Sequence, residues 1–363
     1  MTLSLYIARR FLFTFLRVFG VFFGVLYLID ILEQLRRFKE AGGLGLAARM
    51  AALNVPESLY TILPLVMILS AIALFLGLAR SSELVVVRAA GRSGLRFLLT
   101  PVWVAMVIGL VAVAVLNPLV AATSKEYAAA RAALVQEGAS VLSISDEGLW
   151  LRQGAADGQT VIHADQAGPD GTELFGVTFL TFDANGQPVA RIAARSAGLE
   201  AGAWVVTDAR RWDLTAANPD ATVQQSGSLR LPSELTAERI RDSFGEPSSI
   251  AVWDLPAYIA GLERAGFSAT GYKVWFQNQL ALPLFLSAMV LVAAGFTMRH
   301  MRAGKVGMMV LLAILGGFAL FFLRNFAQVL GDNGQIPVAM AAWTPPLAAV
   351  LLAMGLLLHL EDG

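Results

Sequence analysis

Long apolar stretches dominate both ends of the chain. Six of them, near residues 11–32, 58–79, 97–117, 274–297, 306–330 and 337–359, are long enough to cross a bilayer, which takes about 20 helical residues. Three lie before residue 118 and three after residue 270. Gly, Ala or Ser interrupts the Leu, Val and Phe of each, a mixture that lets helices approach closely in lipid. Pro64 and Pro283 fall within the second and fourth stretches, each as Leu-Pro-Leu. A membrane helix tolerates such a proline where neighbours satisfy the freed carbonyl. The first stretch follows Arg9 and Arg10 but is too long for a signal peptide, and no small-x-small cleavage site follows it, so a retained helix is expected.

Between residues 118 and 270 the pattern changes to short runs rich in β-branched and aromatic residues: Val141–Arg152, Thr160–Ala164, Leu174–Phe182, Val189–Leu199, Trp204–Leu214 and Ser228–Leu231. Turn-forming residues separate them, including Asp157-Gly158, Asn185-Gly186 and Asn218-Pro219-Asp220. Asn-Gly between apolar runs is a hairpin signal, because both residues accept the positive φ of a tight turn. Many short strands with regular turns predict a sandwich, jelly roll or open barrel. Residues 118–139 read as a helix carrying the third span into this block, and 254–270 as a short helix leading back. The expected fold is a polytopic α-helical membrane protein with six transmembrane helices, three and three, around an inserted all-β, jelly-roll-like domain. Its parts are residues 1–117, 118–270 and 271–363.

Composition sharpens this picture. Of 363 residues, 56% are hydrophobic and 15% charged, against roughly 45–50% and 25% in soluble domains. That excludes a disordered chain, a coiled coil and a typical soluble enzyme. The 27 basic and 27 acidic residues balance overall. They are unevenly placed: residues 118–270 hold 11 basic against 19 acidic, leaving 16 basic and 8 acidic for the apolar frame. Cysteine is absent, which excludes disulfides and thiolate metal sites. Cations in the short loops set orientation. With the N-terminus in the cytoplasm, the inner segments carry nine: Arg9, Arg10, Arg80, Arg88, Arg92, Arg96, Arg299, Arg302 and Lys305. The outer ones carry four: Arg36, Arg37, Lys39 and Arg49. Both termini are therefore expected inside and the acidic block outside.

Chemical motifs are mostly missing. There is no Walker A loop, Gly43-Leu44-Gly45 lacks the rest of a dinucleotide fingerprint, and Gly91-Arg92-Ser93-Gly94-Leu95 is not a nucleophile elbow. His163, His300 and His359 have no ligand spacing. No catalytic residue, cofactor, metal or nucleic-acid partner is expected, and any nucleotide hydrolysis belongs to another protein.

The informative positions are charges near the membrane. Arg36, Arg37 and Lys39 follow the first span. They are either cations snorkelling at the lipid boundary or a basic rim for an anionic lipid headgroup, since a guanidinium forms paired hydrogen bonds with phosphate. The rim reading gains because they sit on the side the charge rule would leave bare. Arg131, past the third span, either joins that rim or is a surface helix charge. In the inner loop near 81–91, Ser81 or Ser82 suits an N-cap, Glu83 a first turn, Arg88 a last turn and Gly91 a stop. That segment is either a coupling helix docking in a cytosolic motor or a loop helix resting on lipid. Arg324, with Asn325 and Gln328 in the fifth span, is a cavity candidate or a snorkelling cation. Arg17 and Asp30 have the bland explanation of lying near span ends.

Taken in order, Tyr6-Ile7-Ala8-Arg9-Arg10-Phe11, Ser82-Glu83-Leu84-Val85-Val86 with Arg88-Ala89-Ala90-Gly91, and Pro337 through Ala342-Trp343-Thr344-Pro345 resemble the LptF/LptG (YjgP/YjgQ) family of lipopolysaccharide export permeases. The ending His359-Leu360-Glu361-Asp362-Gly363 resembles the LptG branch. The resemblance covers nearly the whole chain and is loosest in the β block. It implies an inner-membrane permease subunit of an ABC transporter, with a periplasmic β domain. The implied partners are an LptF-like second permease, an LptB-like ATPase dimer and an LptC-like bridge protein. Lipopolysaccharide is extracted from the inner membrane and passed to a periplasmic bridge. The resemblance further assigns Glu83 to the coupling contact, Arg36 and Arg37 to the phosphates of lipid A, and Arg131 to a basic position past the third span. Asp30 departs, since some relatives carry lysine near that place.

Three other readings compete. A membrane-anchored periplasmic scaffold or binding protein would not transport. A membrane enzyme acting on lipid or glycan needs a polar catalytic cluster, and only scattered charges are present. A lipoprotein-release permease usually carries its outer domain after the first span, whereas here the block follows the third.

Overall fold

The computed structural model describes residues 2–38, 43–81, 83, 94–135, 142–145, 148–155, 158–168, 171–200, 202–233, 235–236, 240, 246–298 and 306–361. The chain forms two compact units. One comprises Met1–Arg131, Ser248–Trp253 and Thr270–Gly363; the other comprises Ala132–Pro247 and Asp254–Ala269.

The first unit is helical. Its elements are α1 (Thr2–Arg37), α2 (Gly43–Thr61), α3 (Leu63–Arg80), α4 (Gly94–Val111), the start of α5 (Asn117–Val135), and, after the insert and its short helix α6 (Leu255–Arg264), α7 (Thr270–Thr297), α8 (Val306–Asp332) and α9 (Val338–Glu361). Among the described residues, six spans are long and apolar enough to cross a membrane: Leu3–Arg37, Leu63–Arg80, Arg96–Arg131, Thr270–Thr297, Val306–Asp332 and Val338–Leu358. Three precede the strands and three follow, as the apolar pattern predicts.

The second span corrects the sequence reading. It begins at Leu63 rather than near 58, because the helix breaks at Ile62, whose ψ is 3°. Pro64 then lies in the first turn of that span rather than in its interior. A proline belongs there, since that N–H would lack a helical acceptor anyway. Residues 43–57, which the apolar pattern left unassigned, and 58–61, expected in the second span, form α2, which packs along α1. The third span runs from α4 into α5 through a π-helical turn at Ala112–Leu116. At its end the buried Asn117 side chain accepts the N–H of Val252 at 2.8 Å.

Helix α7 is the centre of the helical unit. It touches α3, α4, α8 and α9, and Phe285, Leu286, Met289, Val290, Ala293 and Ala294 are wholly buried. A helix apolar all round is buried all round. By contrast α1 and α8 leave Val21, Leu28, Leu32, Phe322 and Phe326 exposed, as helices facing lipid or another membrane subunit do. One tight crossing puts Gly109 of α4 on Pro283 of α7. A Cβ at 109 would come 2.5 Å from the proline Cα. That contact is backbone and cannot swing away. Gly109→Ala is therefore expected to cost about 1–3 kcal/mol through overpacking, read as a lower unfolding midpoint in detergent. Gly20→Ala, in open space on α1, is the silent comparison.

Among the described residues, the second unit holds one antiparallel sheet of seven strands in sequence order: β1 (Leu142–Ser145), β2 (Gly148–Ala155), β3 (Gly158–Ala167), β4 (Glu173–Asp183), β5 (Pro188–Glu200), β6 (Ala203–Asp213) and β7 (Gln224–Pro232). The strand order, which no composition argument could supply, is a meander. The run Val141–Arg152 is two strands rather than one: Ser145 pairs with Gly148, and the polar Asp146-Glu147 interrupts the apolar run between them. The Asn185-Gly186 hairpin is present, with φ +79° at Gly186. Asp183 Oδ1 accepts the N–H groups of Asn185 and Gln187 at 2.9 and 2.8 Å. On the buried face Phe179 and Trp204 meet edge to face. Helix α6, within the expected 254–270, is tied to the sheet where Ala167 N–H donates to Ala265 O at 2.7 Å. Gly266 next to it has φ +91°, and a Cβ there would lie 2.0 Å from Ala167 O, so only glycine fits.

Candidate functional site

Two of the cations expected to form a basic rim, Arg36 and Arg37, lie in the last turn of α1. Arg36 and Arg37 are exposed, and Arg37 pairs with Glu33 one turn earlier at 2.8 Å. An exposed i, i+4 pair contributes only a few tenths of a kcal/mol, so Arg37 is easily released to another anion. Between these cations and the core sits Gln34, 1% exposed, whose side-chain amide donates to Tyr127 Oη of α5 at 2.9 Å. Arg131 is exposed and one helical turn beyond Tyr127. The Gln34–Tyr127 bond therefore brings the end of α1 and the Arg131 segment of α5 together. Lys39 lies outside the described residues.

Asp30 does not belong to that exposed rim. It is 8% exposed, and its Oδ1 accepts Asn54 Nδ2 of α2 at 2.9 Å. The carboxylate clasps α1 to α2, which accounts for an acid at a place where the rim would favour a cation. Asn54→Leu would leave it buried and without that donor, an expected loss of about 1–3 kcal/mol measurable by thermal unfolding.

Farther along the helical unit, Arg324 of α8 turns inward. Its guanidinium lies 5.3 Å from the centroid of the Phe285 ring. It lines a cavity of about 280 Å³ with Tyr60, Trp275, Gln279, Asn325 and Gln328. Tyr60 Oη donates to Gln279 Oε1, and the nearby Trp343 Nε1 donates to Gln277 Oε1 at 2.9 Å. Trp275 Nε1 is buried without a partner among the described residues. A second cavity of about 200 Å³ is walled by carbon, from Phe19, Phe23, Pro56, Leu59, Leu63 and Leu116. Tyr60 lines both. The pair of cavities thus offers a polar and an apolar compartment that share one tyrosine. Sequence reasoning singled out Arg324, Asn325 and Gln328 but missed Tyr60, Trp275 and Gln279. The run Trp275-Phe276-Gln277-Asn278-Gln279 at a span's start was the available signal.

At the other end of the membrane-spanning helices, Glu83 is held by α1. Arg10 Nη1 donates to both carboxylate oxygens, at 2.6 and 2.8 Å, and to Tyr6 Oη at 2.8 Å. Ser81 Oγ lies 2.7 Å from Glu83 Oε1. Ser81 is the C-cap residue of α3, and most of the segment for which it was expected to be an N-cap lies outside the described residues. Burial opposes the charge on Glu83, but the hydrogen bonds from Arg10 and Ser81 outweigh it and hold the carboxyl below the usual carboxylate range. A depressed carboxyl stabilises its folded arrangement above the ordinary carboxylate value and loses that contribution as pH falls through the folded value. A spin label at position 80 is therefore expected to gain mobility on acidification, and to be mobile already at neutral pH in Glu83→Gln. Arg88 and Gly91 lie outside the described residues.

Comparison with known proteins agrees along the whole length. The family model described as lipopolysaccharide export system permease LptF/LptG matches residues 5–359. The lipopolysaccharide export system permease protein LptG of Escherichia coli (strain K12) is 26% identical over 361 residues, 98% of each chain. The protein of the same name from Haemophilus influenzae is 24% identical over 381 residues, 99% of each chain.

Proposed function

The chain belongs to the LptF/LptG family of lipopolysaccharide export permeases, and we propose how its geometry serves that export. It is a multi-pass permease subunit of the lipopolysaccharide export system. The finer reading places both termini in the cytoplasm and the β unit in the periplasm, as the loop cations favour. An LptF-like second permease covers the apolar residues exposed on α8 and on α1 from Val21 to Leu32, an LptB-like ATPase pair docks on the loop holding Glu83, and an LptC-like protein continues the path from the β sheet.

Lipopolysaccharide is an amphiphile with acyl chains and phosphates. Withdrawing it from the bilayer exposes apolar area at about 25 cal/mol per Å², so the transporter must offer replacement surface. The apolar cavity beside Phe19 and Phe23 supplies that chemistry, and the Arg324 cavity receives a polar group alongside. Arg36, Arg37, Lys39 and Arg131 form the rim that orients the headgroup phosphates, and Glu83, Arg88 and Gly91 belong to the coupling loop. The observation that carries this reading is the pair of unlike cavities meeting at Tyr60 inside a six-span bundle.

Proteoliposomes test it. Lipopolysaccharide release to a soluble acceptor is expected only when the chain, its permease partner, the ATPase and ATP are all present. Release that persists without the ATPase would contradict the assignment.

A further inference from the structure

We propose that the cleft between the first turns of α1 and the last turns of α3 binds the phosphodiester headgroup of an anionic phospholipid. The cleft measures about 480 Å³ and is lined by Arg9, Arg10 and Arg17 of α1, facing Ala73 and Gly77 of α3. Arg10 is fixed by Glu83 and Tyr6. Arg9 rests 5.5 Å from the Phe13 ring centroid. Among the described residues neither Arg9 nor Arg17 has an acidic partner, so Glu83 leaves two positive charges uncompensated. Arg17 lies seven residues past Arg10, two turns and about 10 Å deeper along the span Leu3–Arg37. A cation at that depth is costly unless an anion meets it or it reaches water.

The opposite wall keeps the space open. A Cβ added at Gly77 would meet only Arg10 Nη2, at 3.5 Å. Small residues at 73 and 77, one turn apart, therefore leave room for a headgroup against the guanidinium row. A guanidinium binds a phosphodiester by paired charge-assisted hydrogen bonds. What distinguishes a lipid from free phosphate is the border: Leu5, Leu12, Phe13 and Leu16 are exposed on the same helix and offer acyl chains a surface. Basic pockets between membrane helices recognise anionic headgroups in this way. The cleft is separate from the rim at Arg36, which lies 19 residues beyond Arg17, about 28 Å along α1. The inference needs only that α1 spans a membrane, and it stands whether or not Arg36 meets the exported substrate.

The test is native mass spectrometry of the detergent-solubilised full-length protein titrated with phosphatidylglycerol or phosphatidylcholine. Phosphatidylglycerol is expected to bind about tenfold more tightly, the scale of one charge-assisted contact. Arg9→Gln with Arg17→Gln should erase the preference, and Arg17→Lys should keep part of it. Ala73→Leu, which fills the cleft and leaves every charge in place, should lower binding too. Equal binding of the two lipids by the unaltered protein would overturn the proposal, as would a preference that survives the double arginine variant. Displacement of the lipid by millimolar inorganic phosphate, with phosphate itself retained, would overturn the lipid assignment in favour of a free-anion site. Arg9 and Arg17 are exposed and outside the core, so the double variant decides the matter even where Ala73→Leu fails to fold.

Discussion

Glu83→Ala is expected to abolish ATP-driven lipopolysaccharide release while leaving the helical unit folded. The stability effect is small because the Arg10–Glu83 pair is about one-third exposed on each side, and such pairs contribute little in water. The expected coupling effect is large because, with Glu83 docking the motor, removing one partner of a charge pair enclosed at a subunit interface would cost about 2–5 kcal/mol, or about 30-fold to several thousand-fold in affinity. Co-purification of the ATPase and ATP-dependent release are the readouts. Arg10→Gln separates the two roles of the carboxylate. If Glu83 serves only to pair with α1, Arg10→Gln is as damaging as Glu83→Ala. If Glu83 docks the motor, Arg10→Gln frees it from its internal partner and release persists. An active Glu83→Ala transporter would sink the coupling assignment.

Charge reversal at the rim has the second largest effect. Arg36→Glu with Arg37→Glu is expected to weaken lipopolysaccharide capture by about two to four orders of magnitude, since the two lost charge-assisted contacts contribute about 1.5–3 kcal/mol each. Folding is spared, because both side chains are exposed and the existing Arg37–Glu33 pair is a weak one. Capture is read as lipopolysaccharide retained per protein after purification from membranes. Asp30→Asn provides contrast. It alters the α1–α2 clasp with Asn54 and not the rim, so it should lower the unfolding midpoint without changing capture. Unchanged retention in the double reversal would favour a scaffold that does not handle the lipid.

What the sequence revealed follows the range of each interaction. Span number and the β insert were legible because hydrophobic length and strand alternation are local signals. The break at Ile62 was harder to see, since Pro64 suits either a helix interior in lipid or a first turn, and only the packing of α2 decides. The division of Val141–Arg152 into two strands was hidden because two polar residues within an apolar run carry little weight in a pattern of that length. Strand order was hidden, since a meander and a crossed sheet share the same local pattern. At the sites, the cations were visible as residue types near span ends, but their partners were not. Nothing in the spacing links Arg10 to Glu83, 73 positions apart, or Tyr60 to Gln279, 219 positions apart. Asp30 looked like a departure from a basic rim until Asn54 was found against it. Glu83 could be placed in its loop, while its present ion pair came only from the fold.

A photo-crosslinking residue at position 36, introduced into the full transporter in membranes, addresses the export reading most directly. Crosslinks to lipopolysaccharide should form before nucleotide is added and decline when ATP is supplied to the assembled complex. With the ATPase absent, the same crosslinks should stay constant whatever the ATP level. Position 36 failing to label lipopolysaccharide under any condition, or losing its label on ATP addition with no ATPase present, would contradict a guanidinium-lined entry driven by a companion motor.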